Sequence, residues 1–544
     1  MLTMFEGAQL IFFVAILFLL FKVMGEYIDF ILEPTRPSPV FYRVLRIRNN
    51  QEQTWKQYLG AILVFSIISG VGTLFLLLFQ SHLPLNPERL PDIPFPLAFN
   101  IAISFLTNTD WQAYGGESTL SYFSQIMALG VQNFFSPAVG LCAAAALCRG
   151  LFRENTQTLG NFWIDLTRII VYLLLPLAVI VSIFFMQQGT PQNFSPYLDI
   201  QTLQGALQKI VQGPLASQEA IKVLGTNGGG FTHVNSAHPY ENPTMGTNFF
   251  QMMGFFLIVL GQLYYFGKRI RCMKTIWTFF FVIVALLVFQ VILCTSVEKQ
   301  GLPFLQGIDT SMGNLEGKEM RFGVFGSCFY LIASSFTSCG AVNAIVSSFT
   351  PAGKLFSLLN IEFGKTLFGG VGMGVCNMAL FALLICSCAG FLRGRTPRYV
   401  GKSLEFHEIF LAFLPFCFFY LAILGFVAAT GRSTGLSEVI YAYSSAAGNN
   451  GSSATSLPLN SSWYNYTLAC AMLLGRFGTL VPVLALAGAL GKKKKISGAE
   501  LFPLKGVALS LLLISAVLVL GIIVFLPSLL LGPLLDMIQY WGKA

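Results

Sequence analysis

Four short polar stretches interrupt an otherwise very hydrophobic chain at similar intervals: Thr107-Asn108-Thr109-Asp110, Gly225-Thr226-Asn227-Gly228-Gly229-Gly230, Thr337-Ser338-Cys339-Gly340-Ala341 and Ala447-Gly448-Asn449-Asn450-Gly451. Each lies between two apolar runs of membrane length. Irregular backbone at membrane depth is tolerated only where protein or a water-filled cavity satisfies its peptide groups, so four such interruptions point to a lined pathway. For a single stretch the ordinary reading is a helix-connecting loop, because Gly and Asn are common turn residues. Four of them at matching topological positions reverse that preference.

Of the 544 residues 55% are hydrophobic and 10% charged, with a mean hydropathy of +0.68, which is more apolar surface than one soluble core hides. The composition is that of a polytopic membrane protein. A crossing helix needs about 20 mainly apolar residues. That length predicts ten spans, over 8–28, 57–79, 122–147, 166–186, 247–266, 275–295, 363–391, 406–430, 463–490 and 503–526. The run over 9–21 has no basic segment before it and no small-residue cleavage site after it, so it reads as a retained first helix. The net charge of +9 comes from short basic clusters beside apolar runs, which argues for membrane topology and against a nucleic-acid partner. Twenty Lys and Arg fall in alternate loops and eight in the longer intervening ones, so the positive-inside rule puts both termini outside. The eleven cysteines sit mostly within apolar runs and form neither a disulfide framework nor a zinc-type pair. The Lys492 to Lys495 run reads as a topology anchor, with contact to anionic membrane lipids as the lesser reading.

This topology places all four interruptions on the outer side. The predicted fold is all-α, with helix, re-entrant pore segment and helix repeated four times around a pseudo-fourfold pore. Its parts are a first helix and loop over 1–56, pore repeats over 57–148, 149–267, 268–392 and 393–491, and a last helix over 492–544. A short apolar segment precedes each interruption: Leu97 to Leu106, Ser217 to Leu224, Phe325 to Phe336 and Leu436 to Ala446. These are too short to cross and read as half-helices whose C-terminal ends turn partial negative charge toward the membrane centre. A cation resting there is stabilised.

Dehydrating a monovalent cation takes a ring of oxygens in place of its water, and backbone carbonyls serve when the chain turns them toward one axis. Glycine permits the positive φ that such a turn requires. Gly228, Gly340 and Gly451 occupy comparable positions in repeats two to four, where repeat one carries Asp110. One place earlier stand Thr109, Asn227, Cys339 and Asn450; two places earlier, Asn108, Thr226, Ser338 and Asn449. These twelve residues are the candidate K+ selectivity filter, with Trp111 and Gln112 as its support. His233 and His238 have no partners at metal-ligand spacing and read as loop packing. The glycine-rich run Phe368-Gly369-Gly370-Val371-Gly372-Met373-Gly374 loosens the seventh span, either for close helix packing or as a flexible element. Intramembrane Arg476, and Glu362 and Lys365 at the start of that span, are costly at such depth.

Longer motifs carry a family resemblance. Thr107 to Gln112, Gly225 to Gly230 with Asn235-Ser236-Ala237-His238-Pro239 and Glu241-Asn242-Pro243-Thr244, Glu316 to Gly323, Ser338 to Val342 and Gly475-Arg476-Phe477-Gly478 resemble the potassium-binding subunits of the bacterial Kdp potassium-transporting ATPase. The resemblance runs from about residue 20 to residue 535. It implies a non-catalytic, channel-like subunit of a high-affinity K+ uptake complex in the bacterial inner membrane. K+ is then the transported ion and the partners are the ATP-hydrolysing KdpB, KdpC and the small KdpF. It further implies that Gly369, Gly370, Gly372 and Gly374 belong to a gating loop below the filter and that Arg476 places positive charge near the pore. Asp110 and Lys365 depart from the residues expected by that resemblance, an asparagine and an acid. Gly401-Lys402-Ser403 and Gly364-Lys365-Thr366 lack the upstream glycine of a Walker A motif, in keeping with no nucleotide on this chain. A stand-alone potassium channel or ion-coupled transporter of the Trk/Ktr type is the alternative.

Overall fold

A computed structural model describes residues 2–32, 51–301, 312–364, 368–430, 435–453 and 457–496, with three isolated positions beyond them. Among these residues nine helices are long and apolar enough to cross a membrane. They are α1 (Met4–Leu32), α2 (Trp55–Leu78), α4 (Ser124–Phe152), α5 (Phe162–Gln187), α7 (Met245–Ile270), α8 (Met273–Glu298), α11 (Met373–Leu392), α12 (Phe406–Thr430) and α14 (Ser462–Gly491). Four of the shorter helices between them precede the polar stretches: α3 (Phe95–Leu106), α6 (Leu215–Leu224), α9 (Gly323–Phe336) and α13 (Leu436–Ala447). They begin within two residues of the predicted half-helices and end within one. The expected span over 503–526 lies outside the described residues.

One span differs from expectation. No single helix runs over 363–391: α10 (Pro351–Phe363) stops there, and α11 starts only at Met373. Glycine is the cause, since Gly372 holds φ at +83° and Gly369 packs against the backbone of Gly374, a loop that a continuous helix excludes. A second feature escaped the sequence. A small antiparallel hairpin, β1 (Leu198–Gln201) with β2 (Leu207–Ile210), precedes α6, and Lys209 pairs with Glu88 at 3.0 Å.

Side-chain caps set where several helices begin. Thr54 and Gln57 form a capping box at α2, Thr244 and Thr247 do so at α7, and Ser461 accepts from Tyr464 N at α14. Burial separates an inner from an outer set. Helices α4 and α7 are almost wholly buried, whereas α1, α2 and α5 leave much apolar surface outward, as lipid-facing helices do. Small residues permit the inner packing: a Cβ on Gly150 would lie 2.4 Å from Ala487 O, and one on Gly488 would meet the Trp55 ring at 2.3 Å. At the same end of the bundle, Lys402 Nζ donates to Gly150 O, Arg153 O and Leu490 O at 3.0, 2.6 and 2.7 Å, joining the carbonyl ends of α4 and α14. Arg149 pairs there with Asp165, which also accepts from Tyr58 Oη at 2.8 Å.

This close packing makes a contrast measurable. Gly150→Ala forces α4 away from α14 and lowers the thermal midpoint of the purified protein, an overpacking cost of about 1–3 kcal/mol. Gly60→Ala, where an added Cβ meets no atom within 4 Å, leaves the midpoint unchanged or raises it.

Candidate ion-binding site

The four half-helices end in the same way. In each, the residue after the cap takes a left-handed backbone: Asn108 (φ 60°), Thr226 (48°), Ser338 (51°) and Asn449 (52°). The next N–H then returns to a carbonyl five residues back, Thr109 to Ser104 at 3.0 Å, Asn227 to Lys222 at 3.0 Å, Cys339 to Ser334 at 2.9 Å and Asn450 to Ser445 at 2.9 Å. This is the six-to-one bond of a Schellman motif, which usually employs Gly at the left-handed position. Here the position is polar, and its side chain reaches a neighbouring segment. Asn108 Nδ2 donates to Thr226 O at 3.0 Å, Ser338 Oγ to Gly448 O at 3.1 Å and Asn449 Nδ2 to Thr109 Oγ1 at 3.0 Å, while Thr226 Oγ1 accepts from Val371 N at 2.8 Å. The strain of a left-handed non-glycine residue is thus offset by bonds between neighbouring segments.

Two residues further the φ is positive again: Asp110 (49°), Gly228 (106°), Gly340 (80°) and Gly451 (92°), with negative φ at the residue between. Alternation in the sign of φ gathers successive backbone dipoles on one side, whereas an extended strand alternates them. The glycines then close a cycle. An added Cβ on Gly228 would lie 1.9 Å from Cys339 O, on Gly340 1.8 Å from Asn450 O, and on Gly451 1.9 Å from Thr109 O. Repeat two therefore abuts repeat three, three abuts four and four abuts one, and the Asn108 bond joins one to two. All twelve predicted residues meet in this ring, at the C-terminal ends of α3, α6, α9 and α13.

Outside the ring lies a cavity of about 510 Å³ lined by Asp110, Gln112, Gly228, Gly340, Gly451 and others. Gln112 braces repeats one and two, since its Nε2 donates to Gly230 O at 2.9 Å and its Oε1 accepts from Gly230 N at 3.0 Å. Trp111 is buried behind the loop, its carbonyl accepting from Ser104 Oγ at 3.0 Å. His238 packs nearby with Nδ1 accepting from Tyr240 N at 3.1 Å, and burial holds its imidazole below the usual pKa range, in the neutral form.

Beneath the ring runs the glycine loop. Gly370 lies against Thr226 Oγ1 and Thr337 O, and Gly372 against Gly140 of α4. An added Cβ on Gly140 would stand 2.8 Å from Val371 O and 3.1 Å from Arg476 Nη2, so Arg476 adjoins this loop, with Nη2 donating to Ser136 O at 2.5 Å. Gly369 and Gly374 hold the loop closed on itself. Glu362, near the end of α10, accepts from Ser444 Oγ of α13 at 3.3 Å. Lys365 lies outside the described residues.

Sequence reasoning missed a buried charged cluster behind repeat two. Lys222, in the last turn of α6, pairs with Glu219 and with Glu241 at 3.2 Å, and donates to Asn235 Oδ1 at 2.8 Å and Ser236 Oγ at 2.9 Å. Asn235 Nδ2 in turn donates to Gly228 O at 2.6 Å, and Glu241 accepts from both Thr232 N and Oγ1. The signal was a Glu and a Lys three apart in a short apolar half-helix, followed by Asn235-Ser236 and Glu241. Glu298 is held similarly in repeat three, by Lys318 at 3.2 Å, Asn314 and Thr350.

Comparison with known proteins gives the arrangement a family. The model of the KdpA family, potassium-transporting ATPase A subunit, matches residues 11–538. This chain belongs to the KdpA family. It is 44% identical to the potassium-transporting ATPase potassium-binding subunit of Solibacter usitatus over 97% of both chains, and 45% identical to that of Salmonella newport over 91% of both. The KdpA fold also resembles the crystal structure of the potassium transporter TrkH from Vibrio parahaemolyticus, with a TM-score of 0.55 and 14% identity over 88% of this chain and 98% of that one. At that identity the likeness concerns the fold alone.

Removing Lys222 tests how much the ring depends on its backing. Lys222→Met leaves two buried carboxylates without their cation and costs about 3–5 kcal/mol. A thermal midpoint equal to that of the unmodified protein means the cluster is not coupled to folding.

Proposed function

We propose that this chain is the potassium-binding, channel-like subunit of an ATP-driven uptake complex in the bacterial inner membrane. The carbonyls of Thr109, Asn227, Cys339 and Asn450, with those of the adjoining Asn108, Thr226, Ser338 and Asn449, replace the hydration shell of K+ arriving from outside. The contact that carries this reading is the cycle in which each filter glycine lies against the preceding carbonyl of the next repeat. Four helix C-termini converge on the same place and favour a cation there. The loop through Gly370 and Gly372 obstructs a straight route inward, and Arg476 beside it disfavours a resting cation. K+ therefore leaves sideways, toward an ATP-hydrolysing partner, KdpB, assembled with KdpC and the small KdpF. The near full-length similarity to proteins named as ATPase subunits supports a partnered role over a stand-alone channel.

The filter glycines test the reading. In Gly228→Ala, Gly340→Ala and Gly451→Ala the new methyl displaces a neighbouring carbonyl by more than an ångström. Rubidium uptake by cells relying on the complex should then need at least tenfold more ion for half-saturation, a loss of about 1.4 kcal/mol or more. Gly72→Ala, with open space at its Cβ, changes it less than twofold. Equal affinity in all four variants removes the filter assignment.

A further inference from the structure

Asp110 breaks the symmetry of the ring. Where the other three repeats place Gly, it holds a left-handed backbone with a carboxylate, and Gly229 of repeat two makes room for it: a Cβ there would lie 3.0 Å from Asp110 Cβ. The residue is 1% exposed, lines the outer cavity, and neither carboxylate oxygen meets a hydrogen-bond donor of the protein among the described residues. A buried carboxylate without donors is strongly disfavoured unless a proton or a cation balances it.

The ion-paired Lys222, Glu219 and Glu241 are buried behind repeat two and do not line this cavity. His233, on the cavity wall, shares a hydrogen bond between its ring and Tyr114 O. A cavity large enough for water, backbone carbonyls and a carboxylate without protein donors form the hard-oxygen environment that divalent cations take, with water completing the shell. We propose that the Asp110 carboxylate, on the cavity side of the carbonyl ring, forms the anchor of a divalent-cation site, and that occupation of this site blocks entry of monovalent ions. This inference goes beyond the filter assignment and has its own readout.

Terbium(III) serves as the direct probe, because Trp111 adjoins Asp110 in the chain and sensitises its emission. The purified complex should show terbium luminescence that calcium displaces and that falls at least fivefold in Asp110→Asn and in Asp110→Gly. The glycine variant gives repeat one the residue of the other repeats and suits the same φ. Calcium should also inhibit rubidium binding to the unmodified complex, at a concentration at least tenfold lower than in either variant. Equal terbium emission with and without the carboxylate, or no inhibition by calcium in the unmodified complex, overturns the proposal. Absence of rubidium binding even without calcium speaks instead against the filter.

Discussion

A glycine Cα resting on the carbonyl of the next loop is the contact around which this molecule is arranged. It occurs at Gly228, Gly340 and Gly451, and leaves less than 2 Å where a Cβ would stand. Such closeness is available only to glycine, and it requires that four segments far apart in sequence be held at one place with sub-ångström tolerance. The Schellman endings of α3, α6, α9 and α13 deliver each segment with the same backbone path. Because the left-handed position in each is Asn, Thr or Ser, the side chain that accompanies the turn also ties it to a neighbouring segment.

The surroundings are organised to hold that geometry. Buried ion pairs, Lys222 with two glutamates and Lys318 with Glu298, fix loops that carry no regular structure of their own. Such pairs give weak net stability against apolar replacements, but losing one partner leaves a buried charge uncompensated. On the opposite side, glycine-mediated contacts and the Lys402 clasp hold the inner helices together. The pore loops are therefore clamped at both ends, and the glycine loop between α10 and α11 is the irregular element left beneath them.

Much of this was legible from the sequence because membrane burial leaves few ways to accommodate a polar, glycine-rich stretch. The half-helices, the ring residues and eight of the nine described spans follow from apolar run length and the spacing of the interruptions. Run length gives one long span over 363–391 and leaves open whether its glycines pack closely or form a loop, since it cannot distinguish a helix from two helices joined by an apolar loop; the break falls between Phe363 and Met373. Proximity in sequence groups Glu362 with the loop, and the structure adds a hydrogen bond to its carboxylate from Ser444 of α13. The Lys222 cluster joins residues 219–241, and nothing in a linear reading reveals that its two carboxylates flank one ammonium. Nor could sequence show that Asn108, Ser338 and Asn449 bind neighbouring segments through their side chains while contributing backbone to the ring.

The most direct measurement is anomalous scattering from crystals of the complex grown in thallium or rubidium. A peak is expected on the axis enclosed by the carbonyls of Thr109, Asn227, Cys339 and Asn450, above the glycine loop. A bound ion found elsewhere in the chain, with those four carbonyls turned away from it, would contradict that expectation.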